Sequence, residues 1–231
     1  MKDINLYFKI IRYGLQFKLM CILSLVFFAL GIMFEVMGST SNSTLGALYI
    51  SLSGLYTFQL VFSPSVAKIV QVSPYKKKIQ TVGSTLISLI FCLTAFTVLV
   101  IIRVLRADPT FLAESGSTYA KHYSVLIYAA IIISFLLLYM AFSFKMYIAA
   151  LIICICTVLV FMLFSMNEHF MFYENVASSL MNGDNPALVI AFSYGIILVG
   201  GLLCYIFSTL LYKREISGLA IRNALRQAQA K

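Results

Sequence analysis

From Tyr123 to Met166 the chain runs apolar for 44 residues, interrupted by a single charge, Lys145. As one helix rising 1.5 Å per residue, this run would extend about 66 Å, roughly twice the ~30 Å hydrocarbon core of a bilayer. It must fold back on itself, and Ser143 with Lys145 marks the expected turn. Nor can a single soluble core hide the chain's apolar surface. Hydrophobic residues make up 61% and charged residues 11%, where a soluble domain is nearer half and a quarter. With a mean hydropathy of +0.97, the sequence reads as an all-α, polytopic membrane protein.

The other apolar runs set the number of spans. Residues 19–37, 45–63, 82–102 and 187–211 are each long enough to cross, and the folded run adds 123–143 and 146–166, giving six transmembrane helices in a single transmembrane domain, 1–231. Asn185-Pro186 opens the sixth span with proline in the first helical turn, where its missing N–H is harmless. Glu35, near the far end of the first span, reads as a boundary residue reaching headgroup water. Gly38 to Thr44 is a polar turn in which Asn42-Ser43-Thr44 fits the glycosylation acceptor pattern. The second span carries Ser51, Ser53, Gly54, Tyr56, Thr57 and Gln59, small and hydroxyl side chains that suit close helix contact more than lipid. Ala107 to His122 is mixed in charge and reads as a water-exposed loop.

Charge orients the chain. Lys2, Asn5, Lys9, Arg12 and Gln16 fall within an arc of about 80° on a helix, opposite Ile4, Tyr7, Phe8, Ile11 and Leu15. Residues 1–18 thus form an N-terminal interfacial elbow helix, with Lys2, Lys9, Arg12 and Lys18 as membrane-surface cations. No signal peptide is expected, because this start is amphipathic and no small-residue cleavage site follows the first apolar run. With six spans, fourteen of the 17 basic residues fall on one side, including the loop 64–81 and the tail 212–231. The positive-inside rule makes that side cytoplasmic, with both termini there, and the cell membrane is the expected location. On the outer side, Phe170, Tyr173, Val176, Ala177 and Leu180 recur at helical spacing before the break at Asn182-Gly183-Asp184. Segment 167–185 reads as a short amphipathic helix that dips toward the membrane and needs lipid or neighbouring spans under its apolar face.

The residues offer no site for chemistry. The net charge of +9 sits at the ends of apolar runs, a topology signal rather than a surface for nucleic acid. Cys21, Cys92, Cys154, Cys156 and Cys204 lie inside apolar runs and read as small packing residues. Two histidines are too few for a ligand cluster, and a site joining His122, Glu168, His169 and Glu174 would need two outer loops to meet. No phosphate-cradling glycine loop, nucleophile elbow or mid-span acid is present, which disfavours intramembrane catalysis and proton coupling. Energy for any work is expected to come from another chain.

An amphipathic helix before span one, six spans with both ends inside, a basic loop after span two and an outer helix between spans five and six resemble the permease subunit of type-2 ATP-binding-cassette (ABC) exporters. That resemblance covers essentially the whole chain. Such permeases often carry Leu-Pro-x-Ser/Thr-Arg/Lys-Lys ahead of span three, and Ser73-Pro74-Tyr75-Lys76-Lys77-Lys78 is similar, with Ser73 in place of leucine and Lys76 in place of the hydroxyl residue. The resemblance implies that Pro64 to Lys78 includes a coupling helix, with Lys68, Ser73, Pro74, Tyr75, Lys76, Lys77 and Lys78 as coupling residues, seated on an ATPase subunit present in two copies, and an outer re-entrant segment with Phe170, Tyr173, Val176 and Leu180. It also implies a second permease, identical or related, with ATP and magnesium on the ATPase and no cofactor in this chain. The substrate it implies is an amphipathic peptide, lipid or hydrophobic compound, exported by alternating access. Two other readings are a six-span substrate-binding subunit of a vitamin uptake system and an intramembrane lipid-modifying enzyme.

Overall fold

The computed structural model describes residues 17–37, 44–66, 76–108, 112, 118–166, 171–181, 185–219 and 221–222, without the side chains of 63–66, 164–166 and 171. The elbow segment up to residue 16, Lys68, Ser73, Pro74, Tyr75 and Phe170 lie outside the described residues. Seven helices form among the described residues: α1 (Phe17–Met37), α2 (Leu45–Val66), α3 (Lys76–Leu105), α4 (Tyr119–Ser143), α5 (Tyr147–Met166), α6 (Met171–Leu180) and α7 (Ala187–Leu211). Five of them, α1, α2, α3, α4 and α7, are long and apolar enough to cross a membrane. A sixth apolar helix, α5, is shorter over its described side chains, Tyr147–Leu163. The chain has the make-up of a multi-pass membrane protein. Helices are what such apolar runs must form, because hydrocarbon offers no partner to an unpaired backbone N–H or C=O.

Helix ends follow local chemistry. Thr118 caps α4, its hydroxyl accepting from the Lys121 backbone N–H at 3.2 Å. Ahead of α7, the Asn185 side chain accepts from Ala187 N–H at 3.0 Å, and Pro186 occupies the cap. The 44-residue apolar run reverses between Ser143 and Tyr147 without glycine or proline. There the Met146 N–H reaches the Phe142 carbonyl at 2.8 Å, and the Ser143 hydroxyl reaches the Met140 carbonyl at 2.8 Å. Helix α3 starts at Lys76, inside the segment read as a loop, and opens with Lys76–Lys78 before a wide π-helical turn, Ile79–Gly83. Hydroxyls serve the carbonyls around that turn. Thr81 donates to Lys77 at 2.8 Å, and Ser84 donates to Gln80 at 2.8 Å.

Helix α4 is the centre of the bundle. Buried residues occur all round it, among them Leu126, Tyr128, Ile132 and Leu136, as expected of a helix apolar on every face. It packs against α2, α3, α5, α6 and α7, while α1 lies along α2 and meets α3 more briefly. The α4/α7 contact is close because Gly200 has no side chain. A Cβ there would sit 2.7 Å from the Ser134 Cβ and 2.9 Å from its Cα. The approach lets the Ser134 hydroxyl donate to the Ile196 carbonyl at 3.0 Å across the helices.

Gly200→Val is expected to lower the melting temperature of the detergent-solubilised chain, the overpacking costing about 1–3 kcal/mol. Ser134→Ala removes one interhelical hydrogen bond, worth about 0.6 kcal/mol, and is expected to change the melting temperature little. A tolerated valine would mean that α4 and α7 have room to spare.

Candidate functional site

Four charged or ionisable residues from three parts of the chain converge at the end of the bundle where α1 and α3 finish and α4 begins. Glu35, two residues from the end of α1, pairs with Arg103, two residues from the end of α3. Its Oε2 lies 2.7 Å from the guanidinium Nη2, and the side chains are 2% and 3% exposed. Arg106, which follows α3, donates to the Glu35 backbone carbonyl. Its pKa is lowered, first by burial and then by the Arg103 charge, with Glu35 opposing the shift. His122, 1% exposed in the first turn of α4, holds its Nε2 2.9 Å from the Arg103 carbonyl. Because a carbonyl only accepts, Nε2 carries the proton and donates. Arg103 Nη1 donates in turn to the His122 carbonyl at 3.5 Å.

The carboxylate also leans on α2. A Cβ on Gly46, the second residue of that helix, would lie 2.4 Å from the Glu35 Cγ and 2.7 Å from its Oε1. Only glycine leaves room for the carboxyl there. The carboxylate thus stands over the first turn of α2, where unpaired N–H groups and the helix dipole favour negative charge. Oε1 and the His122 Nδ1 have no hydrogen-bond partner among the described residues.

This geometry corrects two expectations. Glu35 does not reach headgroup water, and His122 is not in an exposed loop, since α4 already begins at Tyr119. The physical reason is a shared depth. Helices α1 and α3 run in the same direction, so their final turns meet at one level, and a carboxylate can stay buried when a guanidinium neutralises it. The signal was present in the sequence, because Glu35 and Arg103 each stand at the far end of their span, one span apart in a hairpin topology.

The residues singled out from sequence fall at both ends. Tyr173 is buried, its ring meeting Tyr128 of α4 edge-on at 5.9 Å, and Val176 and Leu180 are partly buried against the core. Glu174 ties the same helix to α4, its Oε1 accepting from the Thr118 hydroxyl at 3.2 Å. Of the two supports open to the apolar face of α6, the one seen is a neighbouring helix, α4. At the opposite end, Lys18 is exposed at the start of α1, and Lys76, Lys77 and Lys78 open α3. There the Lys77 and Lys145 ammonium groups lie 5.9 and 5.4 Å from the Tyr212 ring centre. Lys145 Nζ donates to the Arg214 carbonyl at 2.6 Å, and its pKa is lowered by burial and then by the nearby Lys76 charge.

Chemically, the cluster around Glu35 clasps α1 to α3 by an ion pair and α3 to α4 by hydrogen bonds. Removing one partner strands the other. Arg103→Met is expected to destabilise the chain by about 3–5 kcal/mol, because it leaves a buried carboxylate unpaired. Glu35→Gln combined with Arg103→Met should restore most of that loss. A double-mutant cycle on melting temperature checks this, and strictly additive losses would mean that the pair contributes no coupling.

No protein-family model matches this chain, and no curated protein and no solved structure matches it either.

Proposed function

We propose that this chain is the membrane-embedded permease subunit of an ATP-driven exporter, working with a separate ABC ATPase and a second permease, identical or related. In this reading α5 is the remaining crossing, which makes six spans with both termini cytoplasmic in the cell membrane. The observation that carries it is the Lys76–Lys78 turn. It emerges from the basic segment between the second and third spans and runs into α3 as one helix. A partner that grips this turn grips a rod about 45 Å long. That is what an external motor needs in order to move a transmembrane helix. The support of α6 on α4 at the other end fits an outer segment fixed to the central span. ATP and magnesium belong to the partner, and the cargo class in keeping with the apolar spans is an amphipathic peptide, lipid or hydrophobic compound.

The test is purification of the tagged chain in mild detergent, with mass spectrometry and an ATPase assay on whatever accompanies it. An ABC ATPase at about one copy per permease is expected, and changing Lys76, Lys77 and Lys78 together to Glu should remove it or uncouple its activity. A chain that purifies without any ATPase would overturn the reading. The crossing by α5 has its own check. Single cysteines replacing Lys145 and Glu174 in a cysteine-free background should react with an impermeant maleimide from opposite sides of the membrane. Labelling from one side would leave α5 outside the set of spans.

A further inference from the structure

The two ends of the bundle treat positive charge differently. Arg103 is buried against Glu35, whereas at the other end no carboxylate among the described residues forms an ion pair with Lys76, Lys77, Lys145 or Arg214. These cations nevertheless gather. Lys77 and Lys145 flank one ring, that of Tyr212. Arg214 is tied to the same turn, its Nη1 donating to the Met146 sulfur at 3.4 Å while its carbonyl holds the Lys145 ammonium. A second backbone tie, Ser217 N–H to the Phe144 carbonyl at 3.2 Å, keeps the segment after α7 against the α4/α5 turn. Three positive side chains are thus held together on a fixed backbone. The Lys145 pKa is lowered, first by burial of the ammonium and then by the nearby Lys76 charge, so this cation is held where water serves it poorly. An anion placed among them would offset that loss.

The surroundings indicate which anion. Just before Tyr212, Leu210 is among the most exposed residues of α7, and just after the cluster Leu219 and Ile221 are exposed as well. Cations and an aromatic ring between exposed apolar groups mark the level where hydrocarbon meets headgroups. An acidic protein surface would meet the charges but gain nothing from these apolar flanks. A phospholipid offers a phosphate and acyl chains in the right order along one axis. We infer that Lys77 and Lys145, which share the Tyr212 ring, and Arg214, whose backbone holds Lys145, form a binding site for the headgroup phosphate of an anionic phospholipid whose acyl chains lie along α7 beside Leu210. The site requires α4 and α7 to sit in a bilayer; it shares Lys77 with the turn assigned to the ATPase, and its test on Lys145 and Arg214 does not depend on the transport reading. Basic pockets between transmembrane helices that hold anionic headgroups follow the same physics.

The chain contains no tryptophan, which permits a direct test. Tyr212→Trp keeps an aromatic face for the lysines and introduces the sole indole. The full chain carrying this change is reconstituted in phosphatidylcholine vesicles containing increasing brominated phosphatidylglycerol or, separately, brominated phosphatidylcholine. The anionic lipid is expected to quench at a several-fold lower mole fraction. The preference should fall about fivefold for each cation removed in Lys145→Ala and Arg214→Ala. Lys145→Arg, which keeps the charge, should retain it, and so should Lys18→Ala, which removes a cation elsewhere at the same end. Equal quenching by the two lipids would overturn the site and is the outcome expected of a surface meant for an acidic protein. A preference that survives loss of both Lys145 and Arg214 would overturn it too, because it would belong to the general surface charge.

Discussion

In hydrocarbon an apolar helix face gains little by exchanging lipid for another apolar face, so helices in a membrane are held by close packing and by a few polar contacts. The bundle follows that constraint. Helix α1 is joined to α2 by the Ser24 and Thr57 hydroxyls, 3.0 Å apart, and to α3 through Glu35 and Arg103. Helix α7 is joined to α4 where Ser134 fills the space left by Gly200. Each tie joins segments far apart in sequence, and each lies where the two backbones approach. The large apolar residues between them fill space without choosing partners, which is why many of them face outward on α1, α5 and α7.

Charge then distinguishes the ends. A buried guanidinium beside a buried carboxylate is neutral as a pair and leaves the helices locked in register, since separating them strands two charges at once. Among the described residues no carboxylate pairs with the lysines around Tyr212, and in the proposed site a lipid phosphate supplies that counter-charge. Gly46 belongs to the first arrangement as much as Glu35 does, because any larger residue would expel the carboxylate from beneath α2.

The helices themselves were legible in the sequence, because a run of apolar residues about 20 long has one low-energy form in a bilayer. The reversal near Lys145 was legible by length alone, and the short helix α6 by the spacing of Tyr173, Val176 and Leu180. What escaped was pairing. Glu35 and Arg103 are 68 positions apart in sequence, and each taken singly looks like a charge at the edge of a span. Only the packing of α1 and α3 at one depth turns two boundary residues into a buried bond. The residues themselves did not show the helical state of Lys76–Lys78, since three lysines in a row carry no periodicity; the family resemblance alone implied a helix within 64–78. Their helix is propagated from α3 through the turn at Ile79–Gly83, where hydroxyls from Thr81 and Ser84 occupy the carbonyls that a wide turn leaves free.

That continuity bears on how a force at one end reaches the other. Lys76 and Arg103 are separated by about 40 Å of a single helix, and between them the one departure from α-helical geometry is the π segment next to the lysines. A helix transmits axial and rotational displacement as a stiff element, whereas a wide turn yields first. Motion imposed on Lys76–Lys78 therefore divides between bending at Ile79–Gly83 and rotation of the remaining rod. At the far end of that rod Arg103 is paired with Glu35 of α1, and α1 in turn lies along α2. Under the proposed reading, any movement of α3 that separates Arg103 from Glu35 would strand two buried charges, so the ion pair opposes it.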